Sequence, residues 1–181
     1  MLGNVSKMSA YLISGPSGSG KSTVGRELQS RGFKVIETDF EPHFSGWFNN
    51  ETGKKVIDLP AQPASKEWFE SHSWLWDPAK VKEIVSHSKG ETVFFCGGAY
   101  NEKDFYGLFD TLFALYADSE TLVSRLKPRE PDTWVDGSPT LLKLLDWNSR
   151  FKEYSLKSGA ILIDSSAPTK AIADEILSHI N

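Results

Sequence analysis

Near the start of the chain, the segment GPSGSGKST (residues 15–23) lies between the apolar run Tyr11-Leu12-Ile13 and a helix-forming run. A Gly/Ser linker has no need of fixed spacing, but this segment has one. Gly15, four further residues, then Gly20, Lys21 and Ser22 satisfy G-x-x-x-x-G-K-[ST], the spacing of a phosphate-binding loop. Gly15, Gly18 and Gly20 allow successive backbone N–H groups to turn inward, in conformations a Cβ would obstruct. A helix starting near Lys21 directs its free N–H groups and positive dipole end at the same point. The pattern predicts a nucleotide triphosphate held by Gly15, Pro16, Ser17, Gly18, Ser19, Gly20, Lys21, Ser22 and Thr23. Lys21 is expected to reach the β/γ-phosphates, and the Ser22 hydroxyl to ligate Mg²⁺. The apolar run before the loop and the amphipathic run through Val24 and Leu28 supply the strand–loop–helix context the motif requires.

The chain has 181 residues, enough for one domain with a full core. Its net charge of −4 argues against a nucleic-acid or anionic-membrane surface. Cys96 is the only cysteine, so no internal disulfide can form, and a reducing cytoplasm is the expected compartment. No apolar run approaches the roughly 20 residues of a membrane span.

Five apolar runs bounded by turn residues predict strands at Tyr11–Ser14, Lys34–Glu37, Thr92–Cys96, Thr111–Tyr116 and Ile161–Asp164. Helical patterns fall at 21–30, 66–70, 78–88, 119–127, 140–156 and 168–179. Continuously apolar strands alternating with helices predict an α/β fold, a buried parallel sheet covered on both faces. Two stretches interrupt the alternation. Residues 40–76 hold an insertion with a hairpin at Asn49–Gly53, and residues 127–139 are rich in proline and charge. The second has few apolar residues, which predicts a mobile lid.

Glu37 and Asp39 end the second strand, at the edge where open α/β sheets bind ligands. Two residues apart on a strand, they face the same way. Glu37 is a candidate for contact with a metal-bound water, and Asp39 for the base that orients an acceptor hydroxyl. Which of the two is the base stays open. The third strand ends in Gly97-Gly98, where backbone can approach a ligand closely. Cys96, just before them, reads as a small buried residue rather than a reactive thiol. Of the five arginines, Arg125, Arg129 and Arg150 flank or occupy the proposed lid. Guanidinium forks suit the equatorial oxygens of a transferring phosphoryl group, with Arg129 first and Arg125 next; Arg150 reads either as an acceptor contact or as a solvated helix residue. Trp47, His72 and Trp74 belong to an aromatic cluster that is either core or the wall of a pocket stacking on a flat ring. The polar turn after the fifth strand, Asp164 to Ala167, can contact a nucleotide base.

Together these segments resemble the small phosphate-loop kinases grouped with shikimate kinase, gluconate kinase and the nucleoside monophosphate kinases. Gly15–Ser22 matches their nucleotide loop, and Glu37-Thr38-Asp39 the D-x-D of shikimate kinases. Gly97-Gly98 matches their glycine run, SRLKPRE the start of their lid, and DSSAP, with Ser165 and Pro168, their adenine-side loop. The resemblance implies a five-stranded parallel sheet of order 2-3-1-4-5 and Mg²⁺–ATP-dependent phosphoryl transfer to a small molecule. The chain departs from shikimate kinases in having no arginine in FEPHFSGWF, and Phe151 where their arginine precedes a late tyrosine (here Tyr154). The expected acceptor is therefore a nucleoside, a nucleotide or a small polyhydroxy compound. The competing reading is a nucleotide-binding regulator or NTPase with no acceptor.

Overall fold

The computed structural model describes residues 9–60, 64–88, 90–129 and 133–180. Pro131 and its two neighbours in the expected lid, and residues 61–63 of the insertion, lie outside the described residues.

Five parallel strands form the central sheet. In chain order they are β1 (Ser9–Ser14), β2 (Lys34–Glu37), β5 (Thr92–Cys96), β6 (Thr111–Tyr116) and β7 (Ile161–Asp164). Their spatial order is β2-β5-β1-β6-β7. Counting only these strands, that is 2-3-1-4-5, as the resemblance implies. The strands are apolar on both faces because both faces are covered. Tyr11 and Ile13 point into a layer with Val24, Leu28, Phe94, Phe113, Ile172 and Ile176. Ala10 and Leu12, one residue out of phase, point into the opposite layer with Phe44, Trp76, Val81 and Phe95. Each fully buried side chain of this size stabilises the fold by roughly 1.5–3 kcal/mol.

The helices are α1 (Lys21–Ser30), α2 (Lys66–Ser71), α3 (Pro78–His87), α4 (Ser119–Leu126), α5 (Pro139–Lys157) and α6 (Thr169–Ser178). Ser65, Asp77, Asp118 and Ser138 cap α2 to α5 with side-chain oxygens. α1 differs. It starts after Gly20 in the left-handed region, with no side-chain cap and no acidic residue in its first turn, so among the described residues no side chain caps the N–H groups there.

The insertion folds around a second sheet. β3 (Ser45–Asn49) pairs antiparallel with β4 (His72–Trp76), with Trp47 opposite Trp74. The expected turn at Asn49–Gly53 forms, since Asn49 Oδ1 accepts from the backbone N–H groups of Glu51 and Thr52. The arm beyond it adds only the bridge between Phe48 and Lys55. β3's main partner is instead β4, more than twenty residues further on. Among the described residues, no helix is long and apolar enough to cross a membrane.

The described parts of 127–139, on either side of 130–132, are held more firmly than their composition predicts. Trp134 is buried against Leu126, Leu141 and Leu144, and Lys127 Nζ reaches Asp136 Oδ1 at 2.7 Å. One large aromatic and one ion pair anchor a stretch whose average composition is polar.

Candidate active site

The carboxyl ends of the parallel strands converge on a cleft of about 630 Å³. Its lining includes Ser17 to Val24 and Arg26 of the loop and α1, Asp39 and Phe40 beyond β2, and Arg125, Leu126, Arg129 and Trp134 from α4 onward. Ser165, Ala167, Thr169 and Ile172 close the far side. The cleft lies at β1, where the strand order reverses, the usual ligand position in an open α/β sheet.

Gly18 and Gly20 have φ of 82° and 93°, which β-carbons would strain. They bring the loop into the uncapped end of α1. Lys21 Nζ turns back to donate to the carbonyl oxygens of Gly15 at 2.7 Å and Pro16 at 3.1 Å. Burial pulls the Lys21 ammonium below the usual lysine range, while Asp39, Glu102 and Cys96 pull it back up and the Arg129 guanidinium lowers it further.

Asp39 is held at the cleft by an indole. Trp74 Nε1 donates to Asp39 Oδ1 across 3.4 Å. Burial pushes the Asp39 carboxyl above the usual range, against the opposing pull of Lys21 and of the hydrogen bonds from Trp74 and Thr38. Gly97 is required by close approach. A Cβ there would lie 1.7 Å from Thr38 Oγ1 and 3.4 Å from Asp39 Oδ1. The glycine thus lets β5's end and the acidic turn after β2 come together. Next to it, Cys96 is 3 % exposed; burial first, then the charges of Glu37 and Asp39, push its thiol up to about 12.

Arg125 is clamped rather than free. Its guanidinium donates to the carbonyl oxygens of Gly18 at 3.2 Å and Ser165 at 2.9 Å, tying the Gly-rich loop to the turn after β7. Arg129 also lines the cleft. Arg150 points elsewhere; it pairs with Asp146 on an exposed face of α5. Pro168 caps α6, while its neighbours Ala167 and Thr169 reach the cleft.

The aromatic cluster divides. Trp76 is core. Trp47 meets Trp68 and Trp74 edge-on, at centroid separations of 4.7 and 5.6 Å, and Phe69 at a tilt, at 5.7 Å. His72 stacks on Trp68 and has Nδ1 3.0 Å from that residue's carbonyl oxygen, so it braces the insertion and does not reach Asp39. Trp74 alone of the three expected residues touches the acid. The hairpin is pinned to the loop after β5, for Tyr100 N–H donates to Trp74 O at 2.9 Å, and the Asn101 amide bonds both backbone groups of Trp76.

Two side chains here escape sequence reasoning. Lys143 of α5 lies over the rings of Phe69 and Tyr100. Glu102, 5 % exposed, accepts from Ser14 Oγ at 2.9 Å and Tyr106 Oη at 2.8 Å. A buried acid and a surface acid are the same letter; only the glycine pair four residues earlier hints at the difference.

Magnesium requires hard oxygen donors. Ser22, Glu37 and Asp39 are of that kind, and they stand around the loop and strand end. Among the described residues, no three His, Cys, Asp or Glu side chains converge to hold a metal. A cation at this place would therefore depend on phosphate oxygens as well, which is the mode magnesium favours.

A family model described as an AAA domain matches residues 12–135, from inside β1 to just past Trp134. The chain belongs to the AAA domain family. No curated protein matches its sequence. Among solved structures, this AAA-domain chain is similar to a shikimate kinase from Acinetobacter baumannii (TM-score 0.60, 20% identity, 96% of this chain and 93% of that one). It is similar also to a deoxyadenosine kinase from M. mycoides with bound dATP (0.55, 16%, 96% and 99%). A third is a gluconokinase from Sinorhizobium meliloti 1021 (0.56, 19%, 94% and 90%). At such identities the likeness is one of fold, and the fold is that of the small phosphate-loop kinases.

Proposed function

We propose that the protein is an ATP- and Mg²⁺-dependent phosphotransferase acting on a hydroxyl group of a small molecule, with a nucleoside, a nucleotide or a small polyhydroxy compound as acceptor. The observation that carries this reading is Asp39 lining the same cleft as the loop lysine, tethered by an indole of the insertion. A module that only binds or hydrolyses nucleotide has no need of an acid held in that way.

In this reading the triphosphate lies along Ser17 to Thr23, and Lys21 leaves the Gly15 and Pro16 carbonyls for phosphate oxygens. Magnesium is held by Ser22 and the phosphates, with Glu37 near its water shell, and when bound it neutralises phosphate charge. Asp39 accepts the proton of the acceptor hydroxyl. A carboxyl raised above its usual range is a stronger base for that step than an ordinary aspartate. Arg129 reaches the transferring phosphoryl group, and the 127–139 segment closes as a lid. Arg125, bound to Gly18 and Ser165, organises the base side. The acceptor lies between Asp39, Trp74 and Gly97-Gly98. The 40–76 insertion forms its wall, with Trp47 and His72 as support behind Trp74.

The test is a thermal-shift screen of nucleosides, nucleotides, sugars and sugar acids with a non-hydrolysable ATP analogue present. A true acceptor at ~100 Kd adds about 2.7 kcal/mol of stability. Stabilisation by the ATP analogue alone, with no added shift from any acceptor class, contradicts the transferase reading.

A further inference from the structure

Glu102 is a buried ionisable group with no part in the proposed transfer. Glu102 opens the short 3-10 helix Glu102–Leu108. Its two carboxylate oxygens take hydrogen bonds from Ser14, the residue directly before the phosphate loop, and from Tyr106, whose hydroxyl is 3.5 Å from that of Tyr154 on α5. The fold makes room for it. A Cβ on Gly98 would stand 3.3 Å from Glu102 Oε2 and 3.4 Å from Ser14 Oγ. Burying an acid is unfavourable unless charge or hydrogen bonds offset it. A methionine or glutamine of similar volume would fill the space without that penalty. Glu102 interacts electrostatically with Lys21, the cation that the loop otherwise spends on its own carbonyls.

We propose that Glu102 is a counter-charge buried behind Ser14 at the base of the Gly-rich loop, which competes with the incoming phosphate chain for the field of Lys21 and so limits how tightly nucleotide is held. The inference rests on the nucleotide-site reading of the loop and needs no acceptor. A phosphate chain bound at Lys21 adds negative charge facing a second negative charge in a desolvated place. One such charge weakens anion binding by about tenfold at the separations of a single site. The benefit lies in turnover, because release of the nucleoside diphosphate often limits enzymes that close over it. Glu102 faces Lys21 of α1, Ser14 of β1 and Tyr106 of its own helix; burial holds its carboxyl above the ordinary range against these three and the Ala99 backbone. Lys21 is faced also by Asp39, Cys96 and Arg129. Arriving phosphate favours the neutral form of Glu102, so binding takes up protons.

Titration calorimetry with Mg–ADP on the full chain tests this. Glu102→Gln keeps the shape and removes the charge, and is expected to bind Mg–ADP about tenfold tighter. A merely structural residue would weaken binding or leave it unchanged when replaced, so either result in a folded variant overturns the proposal. Should that variant not fold, proton uptake decides. Measured at neutral pH in two buffers of different ionisation enthalpy, uptake on binding is expected in the parent and in Asp39→Asn, which lacks the other raised carboxyl near the loop. Absence of uptake in Asp39→Asn overturns the proposal. A parent that binds no Mg–ADP overturns the nucleotide-site reading together with this one, whereas a binding parent with unchanged Glu102→Gln overturns this one alone.

Discussion

The indole N–H of Trp74 meets the carboxylate of Asp39 across 3.4 Å, joining the antiparallel insertion to the end of β2. An acid at the end of one sheet is thereby aimed by a side chain from another. Asp39→Asn is expected to bind Mg–ATP nearly as the parent does and to lose transfer by roughly 10²–10⁴-fold, the scale of a general base. Trp74→Phe keeps the contact with Trp47 and removes the N–H. It is expected to lower kcat by several-fold with little change in thermal stability. Steady-state kinetics beside nucleotide titrations separate the two effects.

Lys21→Ala is expected to abolish measurable turnover of ATP and leave the fold intact, because among the described residues the ammonium bonds only to loop carbonyls and no packed layer depends on it. Circular dichroism with a phosphate-release assay checks both halves.

Gly97→Ala meets Thr38 Oγ1 at 1.7 Å, and rotation of that hydroxyl does not clear Thr38 Cβ at 3.0 Å. The strand ends must separate. Overpacking of this kind destabilises by about 1–3 kcal/mol, and here it also displaces Asp39. Chemical denaturation is expected to give a lower midpoint, with transfer reduced further than stability accounts for.

The five sheet strands were legible because each is a continuous apolar run stopped by turn residues, and burial on both faces leaves no other pattern. β4 was not. In His72-Ser73-Trp74-Leu75-Trp76 the aromatic spacing reads as irregular helix, and only pairing with β3, remote in sequence, makes it a strand. The Asn49–Gly53 turn could be read because its asparagine acts locally; the partner across the sheet could not. The position of the Gly-rich loop before α1 and of the acids at the end of β2 could be read as well, since it follows from residue type and spacing. Glu102 and the burial of Trp134 were hidden, as both depend on contacts that no local window contains.

Cys96 offers a pH test. Its thiol is raised from 9.0 to about 12 in the folded chain, so the unfolded chain loses its proton first as pH rises. This contribution to stability is complete below about pH 9 and declines through about pH 12, by up to about 1.4 kcal/mol per pH unit. Cys96→Ser removes that part of the alkaline decline, and native Cys96 should resist thiol reagents until the protein unfolds.

Transfer of labelled γ-phosphate from ATP tests the central claim most directly. With the panel of nucleosides, nucleotides, sugars and sugar acids, label is expected to appear in one acceptor class, mole for mole with ADP, and to vanish in Lys21→Ala and Asp39→Asn. If label is recovered only as free phosphate across the whole panel, or if Asp39→Asn transfers at the parent rate, the cleft is not the phosphotransferase site described.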